Sequence, residues 1–295
     1  GSEVTSFPAK ELWDILISNA WESGEPGILN IGLANEMNNL YYHKPLISTN
    51  PCGEIPLSPY DSCRLISINL KHLVKNPFGK KALFDFNKLK EIAAVAMRLS
   101  DDLVELELEK LMKIVRVADT VDEQMLWDRL YTAASDGRRT GLGTHGLADA
   151  IARLQLSYDS PEALEIIEKI YETLRDTAYS ESVCLAQERG GFPLFDWETE
   201  KDNHFIQRLP ASIRKAIALH GRRNISILTN APTGSVSIMS QTSSGLGDER
   251  APTRLYSWDA LRPPEATGAW FWIWHLPDRA LYRALTLASH RTVMP

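Results

Sequence analysis

The residues of this chain best suited to chemistry lie in STNPCGEIPLSPYDSCRLISINL, residues 48–70, where Cys52 and Cys63 stand eleven positions apart. Pro51 disfavours helical geometry at Asn50, and Gly53 admits backbone angles denied to other residues. Asn50-Pro51-Cys52-Gly53-Glu54 is therefore expected to form a tight non-helical turn with Cys52 at its tip. Asn50 offers a donor and an acceptor and Glu54 can take a proton. Cys52 can serve as a nucleophile or, once oxidised by one electron, as a hydrogen-atom abstractor. A lone cysteine is also commonly a small buried hydrophobe, and spacing alone leaves both readings open. The apolar, partly β-branched segment Leu65 to Leu70 predicts a buried strand fed by this loop.

Several elements must position that loop. Ser6 as a cap and Pro8 in the first turn predict a helix running to Gly24, with Leu12, Ile15, Leu16 and Ala20 facing a core. Residues 26–31 read as extended, and Asn35 to Leu40 as a brief helix or turn. Asp85 caps a long helix to about Glu109 whose apolar positions are Leu89, Ile92, Ala93, Ala96, Leu99, Leu103 and Leu106; its acidic end, Asp101 to Glu109, reads as a solvated face. Asp122 to Ala134 predicts another helix, and Asp136 to Arg139 a turn. Ser160-Pro161 opens a helix stopped by Gly190-Gly191, with a stripe of Leu164, Ile167, Tyr171, Leu174 and Ala178. Cys184, flanked by Val183 and Leu185, is assigned to packing. Pro210 to His220 predicts a further amphipathic helix.

Two segments carry small-residue turns. Gly141, Gly143 and Gly146 have the outward form of a dinucleotide fingerprint, which requires a buried strand before the first glycine and an acidic residue some twenty positions on. Asp136-Gly137-Arg138-Arg139-Thr140 makes a poor central strand, so no nicotinamide site is expected. His145 is read as a hydrogen-bonded structural histidine, with a ligand contact as the alternative. Farther on, Ile225 to Leu228 predicts an apolar strand ending in Ala231-Pro232-Thr233-Gly234-Ser235. Backbone N–H groups and the Thr233 and Ser235 hydroxyls there would cradle an anion without a lysine.

At 295 residues, 44% of them apolar, the chain can build a substantial core, and its net charge of −6 makes nucleic acid an unexpected partner. Three cysteines without a C-x-x-C pair predict neither a disulfide framework nor a structural zinc site, and no protein-bound metal is expected. The opening residues lack the order of a signal peptide and no apolar run reaches bilayer length, so a cytoplasmic location without membrane contact is expected. Gly1-Ser2 reads as a cloning scar or the edge of an excised segment.

Together, NPCGE with SCRLISINL, RRTGLGTHGLADAIARL at 138–154, and GRRNISILTNAPTGSVSIM at 221–239 followed by QTSSG resemble the large, catalytic subunit of ribonucleotide reductases. The likeness runs from about Pro8 to Gly245 and is nearer the adenosylcobalamin-dependent, class II branch. It implies an α/β, helix-rich fold: part of a ten-stranded α/β barrel with a central finger loop, truncated at both ends. Residues 1–245 would be a partial catalytic barrel, and residues 246–295 a divergent tail expected to pack poorly.

The resemblance also implies roles. Cys52 matches the thiyl radical site, Glu54 the base for the 3′-hydroxyl, Asn50 the amide that binds the sugar hydroxyls, and Cys63 one member of the redox pair. Ser48, Thr49, Asn50, Pro51, Cys52, Gly53 and Glu54, with Ala231, Pro232, Thr233, Gly234 and Ser235, would contact a ribonucleoside di- or triphosphate. Adenosylcobalamin is the implied radical source, a metal-containing small subunit the alternative. A thioredoxin-like or glutaredoxin-like reductant and a homodimeric state are the implied partners. The radical thiol is expected to be shielded from water, and the segment alone to be inactive, since the partner of Cys63 would lie upstream. Two alternatives stay open: an inactive nucleotide- or phosphate-binding fragment in which Cys52 is idle, and a glycyl-radical barrel enzyme, whose glycine loop is not seen.

Overall fold

The computed structural model describes residues 7–246. They belong to two units, one holding residues 7–29 and the other residues 30–246. Ser6 and almost all of the expected tail, residues 247–295, lie outside the described residues.

In the first unit, α1 (Ala9–Ser23) follows Pro8 and ends at Gly24, whose left-handed backbone (φ 79°) lets its N–H reach the Ala20 carbonyl. No residue of α1 is buried, and Leu12 and Ile15 are each 51% exposed, so the expected core-facing stripe is apolar without being covered.

The main unit opens with α2 (Ile31–Glu36), capped by the Asn30 side chain accepting from the Leu33 N–H at 3.0 Å. The expected brief helix thus begins four residues early, because Asn30 supplies the cap, and the chain then turns through His43. Strands β1 (Ser48–Thr49) and β2 (Pro56–Leu57) form a short antiparallel hairpin. β3 (Arg64–Asn69) follows, then a second small hairpin of β4 (Val74–Lys75) and β5 (Leu83–Phe84). Asp85 caps α3 (Phe86–Val117) as expected, but the helix continues eight residues past Glu109. Next come α4 (Val121–Gly137), β6 (Thr140–His145) and α5 (Leu147–Arg153). Then α6 (Pro161–Arg189), α7 (Trp197–Glu200), α8 (Ala211–His220) and α9 (Gly234–Ser240) complete the order. Among the described residues no helix is long and apolar enough to cross a membrane.

A parallel array organises the unit. β3 and β6 pair from Arg64 opposite Thr140 to Asn69 opposite His145. On the other edge of β6, Thr140 N–H donates to the Ser226 carbonyl, Leu142 N–H to Ile227, and Thr229 N–H to Leu142, with Leu142 bridged in parallel to Leu228. All six residues of β6 are buried, so a glycine-rich stretch is the central strand of the array. Gly141 and Gly143 lie inside this strand, and only Gly146 (φ 71°) sits at the strand-to-helix junction. Ile68 and Leu142 share one apolar core with Leu89, Ala93 and Met97 of α3 and with Ile170, Leu174 and Ala178 of α6.

Four sequence expectations need correction here. Leu99 and Leu106 are exposed, and the buried stripe of α3 runs through Met97, Val104, Leu108 and Leu111. Asp101 is fully buried rather than solvated. Cys184 is exposed, because a helix turns about 100° per residue and the buried face of α6 passes through Ser182, Val183, Leu185 and Ala186. β3 is also only half-covered: Arg64 and Ile68 are buried and Leu65 is exposed.

Candidate active site

The hairpin of β1 and β2 presents residues 50–55 as a closed turn. Asn50 N–H donates to the Ile55 carbonyl at 3.1 Å, and Gly53 N–H to the Asn50 carbonyl at 3.0 Å, with Gly53 at φ 82°. The Asn50 side chain works at both ends: its Oδ1 accepts from the Ile55 N–H at 3.0 Å and its Nδ2 donates to Glu54 Oε2 at 2.7 Å. Asn50 therefore orients a buried carboxylate, two positions from the thiol on either side. Cys52 stands at the tip, exposed. The expectation of a shielded thiol is not met among the described residues, where three parallel segments stand rather than an enclosing barrel.

The hairpin is fixed to the array by Thr229, whose Oγ1 donates to the Glu54 carbonyl at 2.8 Å. Thr229 also leans on β6. A Cβ placed on Gly141 would lie 2.7 Å from Thr229 Cγ2 and 2.8 Å from Leu65 Cδ2, and would collide with Cys63 Sγ. A Cβ on Gly143 would collide with the Thr229 carbonyl oxygen. Those two glycines are what allow Cys63, the hairpin anchor and β6 to converge. Burial pushes the Cys63 thiol up to about 12, against the pull of Arg139 and Arg64. Both arginines are held by carboxylates, Arg139 Nε by Asp61 at 2.6 Å and Arg64 by Glu107. Cys63 is thus kept protonated, the form that can give up a hydrogen atom. All three cysteines are free.

Thr229 begins the passage to the expected anion turn. Thr233 adopts a left-handed conformation (φ 55°), Gly234 opens α9, and the Thr233 Oγ1 accepts from the Gly245 N–H at 2.8 Å. The same return segment is stapled to the start of α5. Gly146 N–H donates to the Ser243 carbonyl at 2.8 Å, and Ser243 N–H to Asp149 Oδ2 at 2.6 Å. Ala231 and Pro232 are half-buried, Gly234 and Ser235 exposed. Ser48 and Thr49 form β1 at the base of the hairpin.

Sequence reasoning missed the charged group that holds this frame together. Asp101 Oδ1 accepts from Arg138 Nη2 at 2.8 Å and Asn224 Nδ2 at 3.0 Å, while Oδ2 accepts from Arg189 at 3.0 Å and Arg223 at 3.2 Å. Burial alone would raise its carboxyl, but Arg138, Arg223 and Asn224 override that and hold it below the usual range. The only signal was the doubled arginines at 138–139 and 222–223 just ahead of apolar segments. Among the described residues no His, Cys, Asp and Glu group is arranged to hold a metal ion.

The family description "Ribonucleotide reductase, barrel domain" matches residues 1–249. The vitamin B12-dependent ribonucleoside-diphosphate reductase of Thermoplasma acidophilum is 35% identical over 244 residues, covering 81% of this chain and 26% of that protein. The like-named protein of Mycobacterium tuberculosis strain H37Rv is 32% identical over 246 residues, covering 83% of this chain and 30% of that protein. The chain therefore spans less than a third of the length of these relatives. Among solved structures, the Actinobacillus ureae class Id ribonucleotide reductase alpha subunit aligns with a TM-score of 0.61 at 20% identity, over 95% of this chain and 46% of that one, a likeness of fold. The chain belongs to the ribonucleotide reductase barrel-domain family.

Proposed function

We propose that this chain is the part of a ribonucleotide reductase catalytic subunit that carries the radical thiol and grips the substrate phosphates, in an enzyme reducing ribonucleotides to 2′-deoxyribonucleotides in the cytoplasm. The observation that carries it is the Asn50–Glu54 hydrogen bond around Cys52, on a hairpin tied through Thr229 to the extended segment beside β6 that runs into the 231–235 turn. In this reading the Cys52 thiyl takes the hydrogen atom from C3′ of the ribose and Glu54 accepts the 3′-hydroxyl proton. Asn50 binds the sugar hydroxyls as well as Glu54. The 2′-hydroxyl leaves as water, Cys63 and a second thiol are oxidised to a disulfide, and the hydrogen on Cys52 returns to C3′. A thioredoxin-like or glutaredoxin-like dithiol restores the pair. Ala231 to Ser235 hold the diphosphate remotely, so that the ribose is oriented before reaction.

The vitamin B12-dependent names of the two relatives support adenosylcobalamin as radical source. When bound, that group would supply a carbon radical able to take a hydrogen atom from a thiol, and Cys52, the thiol it would act on, is exposed among the described residues rather than shielded. The same exposure favours a second reading, a phosphate-binding segment with an idle thiol.

Full-length protein bearing this segment, supplied with a ribonucleoside diphosphate, adenosylcobalamin and a dithiol, is expected to form deoxyribonucleotide, and Cys52→Ser to abolish it. Stabilisation by pyrophosphate with no effect of Cys52→Ser on turnover would overturn the first reading for the second.

A further inference from the structure

His145 is 3% exposed and only one of its ring nitrogens is satisfied. Nδ1 lies 2.8 Å from Ser67 Oγ, while Nε2 is buried and has no hydrogen-bond partner among the described residues. A buried, unpaired ring nitrogen is costly, and such groups call for an explanation. With the Ser67 hydroxyl donating to Nδ1, Nε2 carries the proton and is a free donor. Burial holds the ring neutral, against the opposing pull of the Asp149 carboxylate.

Its position says what such a donor could meet. Side chains alternate along a strand, so Gly141, Gly143 and His145 share one face of β6, the face toward which Cys63, Leu65 and Thr229 press at Gly141. At Gly143 the chain running over that face is Thr229 and Asn230, whose Cα would be 3.1 Å from an added Cβ. His145 comes next on the same face, about 6.6 Å farther along the strand at two residues of strand rise. The covering chain, in turn, next enters Ala231 to Ser235. Gly146, the next residue, donates its N–H to the Ser243 carbonyl, and Gly245 N–H donates to Thr233 Oγ1, so the return segment ties the end of β6 to the same turn.

We propose that His145 is a substrate-positioning residue: oriented through Nδ1 by Ser67, it offers Nε2–H to the phosphate-bearing part of the nucleotide held at Ala231 to Ser235. The inference rests on the reading of that turn as the phosphate site and adds to it a side-chain donor at the end of β6, where the Thr140 and Thr144 hydroxyls are already bonded to Ile227 and Asn230.

Binding of inorganic pyrophosphate, a ribonucleoside diphosphate and the unphosphorylated nucleoside to full-length protein by calorimetry tests it. His145→Leu is expected to weaken both phosphate ligands about ten-fold while leaving the nucleoside unchanged, as loss of one hydrogen bond to a charged group implies. His145→Gln, which keeps a side-chain donor, should recover most of that loss, and both variants should melt with the wild type. Unchanged pyrophosphate affinity in His145→Leu, or an equal loss for nucleoside and diphosphate, would overturn the proposal. Should His145→Leu not fold, the ¹⁵N resonance of Nε2 in wild-type protein decides: a shift on adding pyrophosphate supports the contact, and an unmoved resonance refutes it. Wild-type protein that binds neither phosphate ligand defeats the phosphate-turn reading and this inference together, whereas wild-type binding with an indifferent His145→Leu defeats the inference alone.

Discussion

Thr229 Oγ1 donates to the Glu54 carbonyl at 2.8 Å across 175 positions of sequence. The loop that carries the thiol and the segment that leads to the anion turn are therefore one mechanical unit. Because Asn50 holds the Glu54 carboxylate while Thr229 holds its carbonyl, both ends of that residue are fixed.

Thr229→Val keeps the side-chain shape and removes the donor. It should cost about 1 kcal/mol of stability, the worth of one buried hydrogen bond. The larger effect is expected on the hairpin, whose Gly53 and Ile55 amides should exchange with deuterium faster than in the wild type while the amides of β6 do not change. Unaltered exchange in residues 50–55 would show that Thr229 is not the anchor.

Gly141→Ala tests the convergence on β6. An added methyl there meets Thr229 Cγ2, Leu65 Cδ2 and Cys63 Sγ together, and none of these is the loose end of a long side chain. Overpacking of this kind costs about 1–3 kcal/mol, read as a lowered melting midpoint. Faster labelling of Cys63 by a maleimide should accompany it, since the sulfur has to move.

How far these features were legible in the sequence depended on whether their causes were local. Pro51 and Gly53 act on their own backbone, so the turn was readable from five residues, as were the Asp85 and Ser160 caps. The strand at Thr140–His145 was harder, because glycine has little strand propensity and only the distant Thr229 backbone explains why no side chain fits. Asp101 was misread for the same reason. A run of acids suggests water, and the arginines that bury it come from 138, 189 and 223. Cys184 was within reach of sequence reasoning, since a helical projection sets it off the buried face, whereas the exposure of Cys52 depends on which strands surround it.

The Cys63 thiol has a definite pH signature. Its folded value, about 12 against an ordinary 9.0, means that the folded protein holds this proton more tightly than the unfolded chain. The resulting stability is complete below pH 9 and is lost as pH rises towards 12. Alkylation of Cys63 at pH 9 should accordingly be at least about ten-fold slower in native than in urea-unfolded protein, since the thiolate is the reactive form. Equal rates, measured by mass spectrometry of the Cys63 peptide, would contradict the burial assigned to it.

Asp101→Asn probes the frame. The carboxylate is fully buried and neutralises Arg138, Arg189 and Arg223, and removing one charge of such a group leaves the others uncompensated at a cost of about 3–5 kcal/mol. Because the folded carboxyl is held below its ordinary value of 3.8, its stabilisation is present above that pH and disappears as pH falls through the folded value. Wild-type protein should therefore lose part of its melting temperature on acidification below about pH 4, and Asp101→Asn, already lowered at pH 7, should lose less over the same interval. Parallel acid profiles for the two proteins would mean that Arg138, Arg189 and Arg223 are neutralised by Glu105 and Asp102 instead, and that Asp101 is a spectator at the centre of the cluster.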